Sequence, residues 1–190
     1  HFVAVGTPQV PGGGAADLTY VDAAIDALLP ILGPGQLVVG KSTVPVGTAA
    51  RLAARIDAGG SGAALAWNPE FLREGFAVED TLRPDRLVYG VGTGVGAGAS
   101  GAGSAAGVDA EALLDKVYAA IVASGTPKVV TDYATAELVK VAANAFLATK
   151  ISFINAMAEI AEVTGADVTT LADAIGYDAR IGRRFLNAGV

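Results

Sequence analysis

Between Asp132 and about Val163 the chain reads DYATAELVKVAANAFLATKISFINAMAEIAEV, without a single Gly or Pro. Ala and other good helix formers fill the run, so it specifies one long helix. Asp132 stands where an N-cap belongs, and Thr164-Gly165 supplies the stop. Apolar residues (Leu138, Val141, Phe146, Ile151, Phe153, Ile154, Met157, Ile160) fall on nearly every side of the helical wheel. Such a helix is expected to be covered by protein on most faces, inside a larger molecule.

Lys140 and Asn144 interrupt that apolar surface four residues apart, side by side on one face, with Glu137 a turn earlier on the same stripe. An ammonium in apolar surroundings needs a partner or a route to water. The plainer reading ties Lys140 to Glu137 or lets it snorkel. The sharper reading aims a cation and an amide into a cleft, where they hold an oxyanion or a substrate oxygen.

The 190 residues suffice for one fair-sized domain, or for one domain and part of a second. Hydrophobic residues make up 52%, yet no apolar stretch of membrane-spanning length is free of charges or breakers, so a soluble protein with no membrane partner is expected. A net charge of −6 and the lack of any Lys/Arg run argue against nucleic acid. With no Cys there is neither a disulfide framework nor a thiolate metal site, and a cytoplasmic setting is compatible. One His leaves little scope for a metal, and none is expected. The chain opens directly on an apolar strand, with no initiator Met and no signal peptide, as a piece of something longer would.

Before the long helix, strands and helices alternate. Phe2 to Val5 reads as a buried strand ended by the turn Gly6-Thr7-Pro8, where backbone can approach a ligand closely. A loop follows to Ala16, and Asp17 caps a helix carrying Leu18, Val21, Ile25, Leu28 and Leu29. Gln36 to Gly40 is a second strand. Lys41-Ser42-Thr43-Val44-Pro45-Val46-Gly47 then leads into a helix over Thr48 to Asp57, placing two hydroxyls at a strand's carboxyl end, where open α/β sheets bind ligands. A plain capping turn accounts for those hydroxyls equally well.

Ala63 to Trp67 is a third strand, running into Asn68-Pro69-Glu70-Phe71-Leu72-Arg73-Glu74-Gly75. Glu70 and Glu74 read either as a solvated pair with Arg73 or as part of a site beside the hydroxyl motif. Leu87 to Val91 is a fourth strand after the Arg83 to Arg86 turn, and Gly92 to Gly107, nearly all Gly, Ala and Ser, is expected to be a flexible loop. Asp109 to Val122 is an amphipathic helix and Lys128 to Val130 a last strand. The alternation indicates a parallel sheet with crossover helices. After Thr131 no strand pattern returns, and a shorter helix over Val168 to Ile175 follows the long one.

Taken together, VGTP, KSTVPVG, NPEFLREG, ELVKVAANAFLA, SFINAMAEI, TGADV and IGYDARIGRRFLNAGV, in this order, resemble the UDP-glucose/GDP-mannose dehydrogenase family along almost the whole chain. Within it, the AIGYDARIG block looks most like the members that oxidise UDP-glucose; GDP-mannose and UDP-N-acetylhexosamine are the neighbouring substrates. The resemblance implies an α/β fold: a partial Rossmann-like parallel sheet with helices over residues 1–131. An all-helical central, dimerising domain built on the long helix would follow over residues 132–190.

Members of that family oxidise a primary alcohol of a sugar nucleotide twice, using two NAD molecules in turn, through a Cys thioester that water hydrolyses. By resemblance, Lys140 and Asn144 stabilise the oxyanion or hold the attacking water, and Thr43 and Glu70 position or activate that water. The Glu70, Phe71, Leu72, Arg73 and Glu74 backbone lies against the substrate, with Glu74 also near the nicotinamide. Val5, Gly6, Thr7 and Pro8, with Ser42, Thr43 and Val44, line the NAD site. Arg180 reaches the sugar of a neighbouring subunit in a homodimer or higher homo-oligomer, and Asn187 begins a loop over the sugar nucleotide. The family's Gly-rich fingerprint and its nucleophilic Cys are expected before His1 and beyond Val190. The competing reading, of another class, is a non-catalytic dimerisation or binding module that keeps the scaffold without the chemistry.

Overall fold

A computed structural model describes residues 1–92 and 107–189. Residues 93–106 of the Gly/Ala/Ser run, and Val190, lie outside the described residues. Five strands form one sheet in the order β1 (Phe2–Val3), β2 (Leu37–Gly40), β3 (Ala64–Trp67), β4 (Leu87–Val91) and β5 (Lys128–Asp132). Among them run α1 (Thr19–Leu28), α2 (Thr48–Ala58), α3 (Ala77–Leu82), α4 (Ala110–Val117) and α5 (Ala119–Ala123). The long helix α6 (Tyr133–Thr164) and α7 (Val168–Gly176) follow. Two compact units divide the chain, His1–Val141 and Ala142–Val190.

β2 and β3 read LVVG and ALAW because both of their faces are buried, as in a sheet carrying helices on each side. Val38, Leu65 and Trp67 pack with Val21 and Ile25 of α1 and Leu52 and Ile56 of α2. Leu37, Val39, Ala64 and Ala66 point the other way, against Tyr89 and Leu114. Gly40 is required beside Trp67: a Cβ there would sit 2.1 Å from the indole ring. At Gly90 the same absence lets Ala136 of α6 close to where a Cβ would be 2.6 Å from its methyl.

The sheet is not wholly parallel. β1, β2 and β3 are parallel to one another, as are β4 and β5, but β4 runs antiparallel to β3, with Trp67 opposite Gly90. A parallel return must carry the chain back along the full strand before the next begins. The connection after β3 has only the six-residue α3, which the sequence pattern does not announce, and it turns back at the same edge. Arg86 and Leu87 therefore start β4 beside the carboxyl ends of β1 to β3.

Three local outcomes differ from the sequence pattern. The Asp109 to Val122 helix is split at Tyr118 into α4 and α5. Asp17 accepts from Thr19 N–H at 2.9 Å, but the residue at the cap itself is Leu18, so Asp17 ties the turn just ahead of α1. The third concerns α6. Within this chain its apolar residues are largely uncovered: Leu138, Val141, Phe146, Ile151, Phe153 and Ile160 are exposed, and of the apolar set Ile154 is buried. Among the described residues, then, protein covers few faces of α6. By length and composition alone α6 is apolar enough to cross a membrane.

In the second unit, Ile154 of α6 packs with Ala172 of α7 and Leu186. Asp167 caps α7 by accepting from Thr170 N–H at 2.6 Å. Lys150 closes the following turn, donating to the carbonyls of Ile181 and Gly182 at 2.9 and 3.2 Å.

Candidate active site

Two loops at the carboxyl ends of β1 and β2 are stitched together by their own hydroxyls. Ser42 Oγ donates to Val5 O at 2.7 Å and Thr7 Oγ1 donates to Thr43 O at 2.7 Å. Ser42 is buried, so its hydroxyl holds the loops in register. The Thr43 hydroxyl makes no bond among the described residues and remains available to a ligand. Next to it Gly6 presents open backbone: a Cβ there would meet nothing within 4 Å. Val5, Pro8 and Val44 complete this edge of strand-end loops.

The Asn68 to Gly75 loop leaves β3 alongside. Glu70 Oε1 receives the Lys140 ammonium at 3.0 Å, and Glu70 Oε2 accepts from Leu72 N–H at 2.6 Å. Lys140 is buried to 6% exposure, which a charge tolerates only with a partner, and Glu70 supplies it. The Phe71 ring lies beside both, with Lys140 Nζ 5.4 Å and Arg86 Cζ 3.8 Å from its centroid. Residues seventy positions apart thus form one cationic and carboxylate pair at the sheet edge.

Glu137 has a different role from the one its spacing suggests. It does not bind Lys140. Its carboxylate, 1% exposed, accepts from Gly47 N–H at 2.7 Å and Ala49 N–H at 2.6 Å, capping the start of α2 from another helix. Gly47, the residue at that cap, has φ 99°, a left-handed conformation that favours glycine, while a Cβ there would meet nothing within 4 Å. The N-terminal end of a helix attracts negative charge and has unbonded N–H groups, so a buried carboxylate belongs there. By the same bonds, α6 holds the end of the KSTVPVG loop that bears Thr43.

The remaining candidates sit apart from this pair. Arg73 is engaged by Asp80, with Nη2 to Oδ1 at 2.5 Å and backbone N–H to Oδ2 at 2.8 Å, and stacks on Phe76. It therefore does not pair with Glu70 or Glu74, and Leu72 and Glu74 are exposed. Asn144 lies one turn beyond Lys140 along α6, exposed, in the second unit. In that unit Arg180 forks onto Asp178 at 2.6 Å while its side chain stays 89% exposed, and Asn187 accepts from Arg183 at 2.7 Å.

Residue patterns did not single out Asn68, Tyr118 or Arg86. Asn68 is 2% exposed and donates to Val88 O at 3.0 Å, while its Oδ1 takes Lys41 Nζ at 3.0 Å and Tyr118 O–H at 2.7 Å. Burial pulls the Lys41 ammonium down to about 8, against a partial opposing pull from Glu70. Burial also raises the Tyr118 hydroxyl. The signal for Tyr118 was its position: a large polar-tipped ring inside an amphipathic helical run.

Residues 1–100 match the NAD binding domain of the UDP-glucose/GDP-mannose dehydrogenase family, and residues 134–190 match that family's central domain. The chain belongs to the UDP-glucose/GDP-mannose dehydrogenase family. A UDP-glucose 6-dehydrogenase of Rickettsia prowazekii is 45% identical over 188 residues, which cover 99% of this chain and 40% of that protein. One from Bacillus subtilis is 42% identical, with 100% and 38% covered. Among solved structures, a UDP-glucose dehydrogenase from Pyrobaculum islandicum superposes with a TM-score of 0.83 at 44% identity, covering 99% of this chain and 41% of that one. The GDP-mannose dehydrogenase of Pseudomonas aeruginosa gives 0.76 at 27% identity, with 99% and 42% covered. The chain thus spans about 40% of the length of these relatives.

Family membership settles the nature of the strand-end loops as part of an NAD-binding fold. The residues present fit that cofactor on one side: open backbone at Gly6 and an unspent hydroxyl at Thr43 lie at the carboxyl edge of parallel strands, where α/β sheets receive nucleotides.

Proposed function

We propose that this chain is the middle section of a UDP-glucose 6-dehydrogenase that oxidises UDP-glucose to UDP-glucuronate with two NAD. The observation that carries the reading is the Lys140 and Glu70 pair at 3.0 Å, joined across seventy residues at the edge of the NAD-binding fold. The net change converts a CH2OH group to a carboxylate, sends two hydrides to two NAD molecules in turn and consumes one water. NAD, when bound along Val5 to Pro8 and Ser42 to Val44, supplies the hydride acceptor.

The chain's own groups do the rest. Lys140 stands as a buried, pre-oriented cation for an oxygen that gains negative charge, and such a donor is worth most where water is excluded. Asn144, four residues on along the same helix, adds a neutral donor to that oxygen. Glu70 holds Lys140 in place and, with the Thr43 hydroxyl, orients the water that hydrolyses the thioester. The backbone from Glu70 to Glu74 lies along the sugar nucleotide, with Glu74 toward the nicotinamide. The thioester sulfur comes from outside this chain, which has no Cys.

The uncovered apolar faces of α6 support a homodimer or higher homo-oligomer. In this reading a second copy covers Phe146 and Ile160, 65% and 54% exposed here. Arg180, with its solvent-facing guanidinium, then reaches the sugar held by that copy, and Asn187 begins the loop over the nucleotide. The setting is the cytoplasm, consistent with a chain that uses no Cys for disulfides.

The test is to express the complete reading frame around this chain and count NADH formed with UDP-glucose and, separately, with GDP-mannose. Two NADH per UDP-glucose supports the proposal. Preference for GDP-mannose replaces the substrate, and no turnover of either sugar nucleotide moves the weight to a binding or dimerisation module.

A further inference from the structure

Lys41 opens the KSTVPVG segment, yet neither of the site's two acid and base partners is its own. The Lys41 ammonium is spent inward, on Asn68 Oδ1 at 3.0 Å, Asn68 O at 3.3 Å and the Tyr118 hydroxyl at 3.3 Å. Tyr118 in turn donates to the same Asn68 Oδ1 at 2.7 Å, and Asn68 Nδ2 donates to Val88 O at 3.0 Å. Every polar atom of a residue 2% exposed is thereby occupied, and its backbone carbonyl is fixed as well. That carbonyl opens the Asn68-Pro69-Glu70 turn. Two residues later the chain must deliver Glu70 Oε1 to Lys140 at 3.0 Å.

We propose that Lys41 is a positioning residue of the site: its ammonium locks the Asn68-Pro69-Glu70 turn from beneath, so that Glu70 is presented to Lys140 in one geometry. The proposal rests on the assignment of Glu70 and Lys140 to catalysis made above. It explains why a cation is retained in a place where burial opposes it. A carbonyl and an amide oxygen converging on one point suit a multivalent donor, and an apolar side chain would leave the carbonyl unbonded and the amide oxygen to Tyr118 alone.

The charged and titratable groups around Lys41 come from several elements. Glu70 lies beyond the end of β3, with Lys140 of α6 behind it. Tyr118 stands at the α4 and α5 junction, and Tyr89 of β4 stacks on it at 6.2 Å between centroids. Glu111 and Asp115 of α4 both bind Lys128 of β5 behind Tyr89, each at 2.7 Å. Of these, Glu70 is the one whose charge favours the Lys41 ammonium. As pH rises through about 8 the ammonium becomes a neutral amine, with fewer N–H groups for the three oxygens, and the turn loosens.

The experiment compares Lys41→Met, Lys41→Arg and Tyr118→Phe in the complete enzyme with NAD and UDP-glucose. Misplacing a reacting group by about an ångström costs up to roughly a hundredfold, so Lys41→Met is expected to lower kcat at least about tenfold while KM for NAD changes little. Lys41→Arg keeps a charged, multivalent donor and is expected to recover kcat in part and to lose the fall in kcat above about pH 8. Tyr118→Phe removes an acceptor from the ammonium and is expected to move that fall to lower pH. Unchanged kcat in a folded Lys41→Met, or the same alkaline fall in Lys41→Arg and Tyr118→Phe, overturns the proposal.

A readout independent of catalysis separates it from the function itself. NMR titration of the lysine Cε signals of the wild-type chain is expected to show one lysine titrating near 8, absent in Lys41→Arg. If that signal is found and the complete enzyme turns over neither sugar nucleotide, the function reading fails while the lock stands. If all lysines titrate near their ordinary 10.5, the lock fails on its own.

Discussion

Glu137→Ala is the substitution whose cost follows most directly from the structure. The carboxylate is 1% exposed and holds two backbone N–H groups, of Gly47 and Ala49, at 2.7 and 2.6 Å. Hydrogen bonds to a charged acceptor contribute about 1.5–3 kcal/mol each, and a lost cap typically costs about 1 kcal/mol, which is part of the same interaction. The two bonds are not additive, and the alanine leaves the Ala49 N–H buried without an acceptor and the Gly47 N–H part-buried without one. A loss of roughly 3–5 kcal/mol is expected. Urea unfolding followed by the emission of Trp67, the single tryptophan and itself 1% exposed, measures it. With a slope of about 2 kcal/mol per molar urea, the midpoint falls by roughly 2 M. Glu137→Gln keeps one acceptor oxygen and is expected to lose about half as much. A loss below about 1 kcal/mol for Glu137→Ala would refute the claim that this side chain caps α2.

Three further outcomes follow from the same structure. Gly40→Ala drives a methyl into the Trp67 ring, 2.1 Å from its nearest atom, and is expected to cost about 1–3 kcal/mol with a shift of Trp67 emission. An unshifted spectrum and unchanged midpoint count against the packing of β2 on that ring. Lys140→Met in the complete enzyme is expected to lower kcat by about a hundredfold or more, as loss of an oxyanion donor does, with KM for NAD little changed. Equal kcat removes Lys140 from the chemistry.

Lys41 also makes stability depend on pH. Its proton is held less tightly in the fold, at about 8, than in the unfolded chain, near 10.5. A cost of about 3 kcal/mol is present below about pH 8 and is relieved as pH rises toward 10.5. Urea midpoints measured from pH 7.5 to 10.5 should therefore rise for wild type relative to Lys41→Met, and parallel curves would contradict the burial of this charge.

Much of the fold was legible residue by residue. β2 and β3 announced themselves as short apolar runs bounded by turn residues, α6 as an uninterrupted helical stretch, and α7 as a shorter helical run after it. The reversal between β3 and β4 was not legible, because a six-residue α3 on exposed sequence carries no hydrophobic stripe and strand direction has no local signature. In the site, Glu70 and Lys140 were each visible as charges in unusual places, but their pairing was not.

Local sequence, then, determined which segments are strands and helices, where hydroxyls and charges stand along them, and the family to which the chain belongs. These are properties of a few neighbouring residues, set by backbone preference and hydrophobic period. Tertiary structure decided which partner each buried charge took. Glu137 faces the start of α2 because its helix crosses there, and Lys140 then finds Glu70. Lys41 turns inward because Asn68 and Tyr118 converge on it from two other elements. Such partners lie 27 to 90 residues away along the chain. Burial makes an unpaired charge costly without specifying its partner, and only the packed fold supplies that choice.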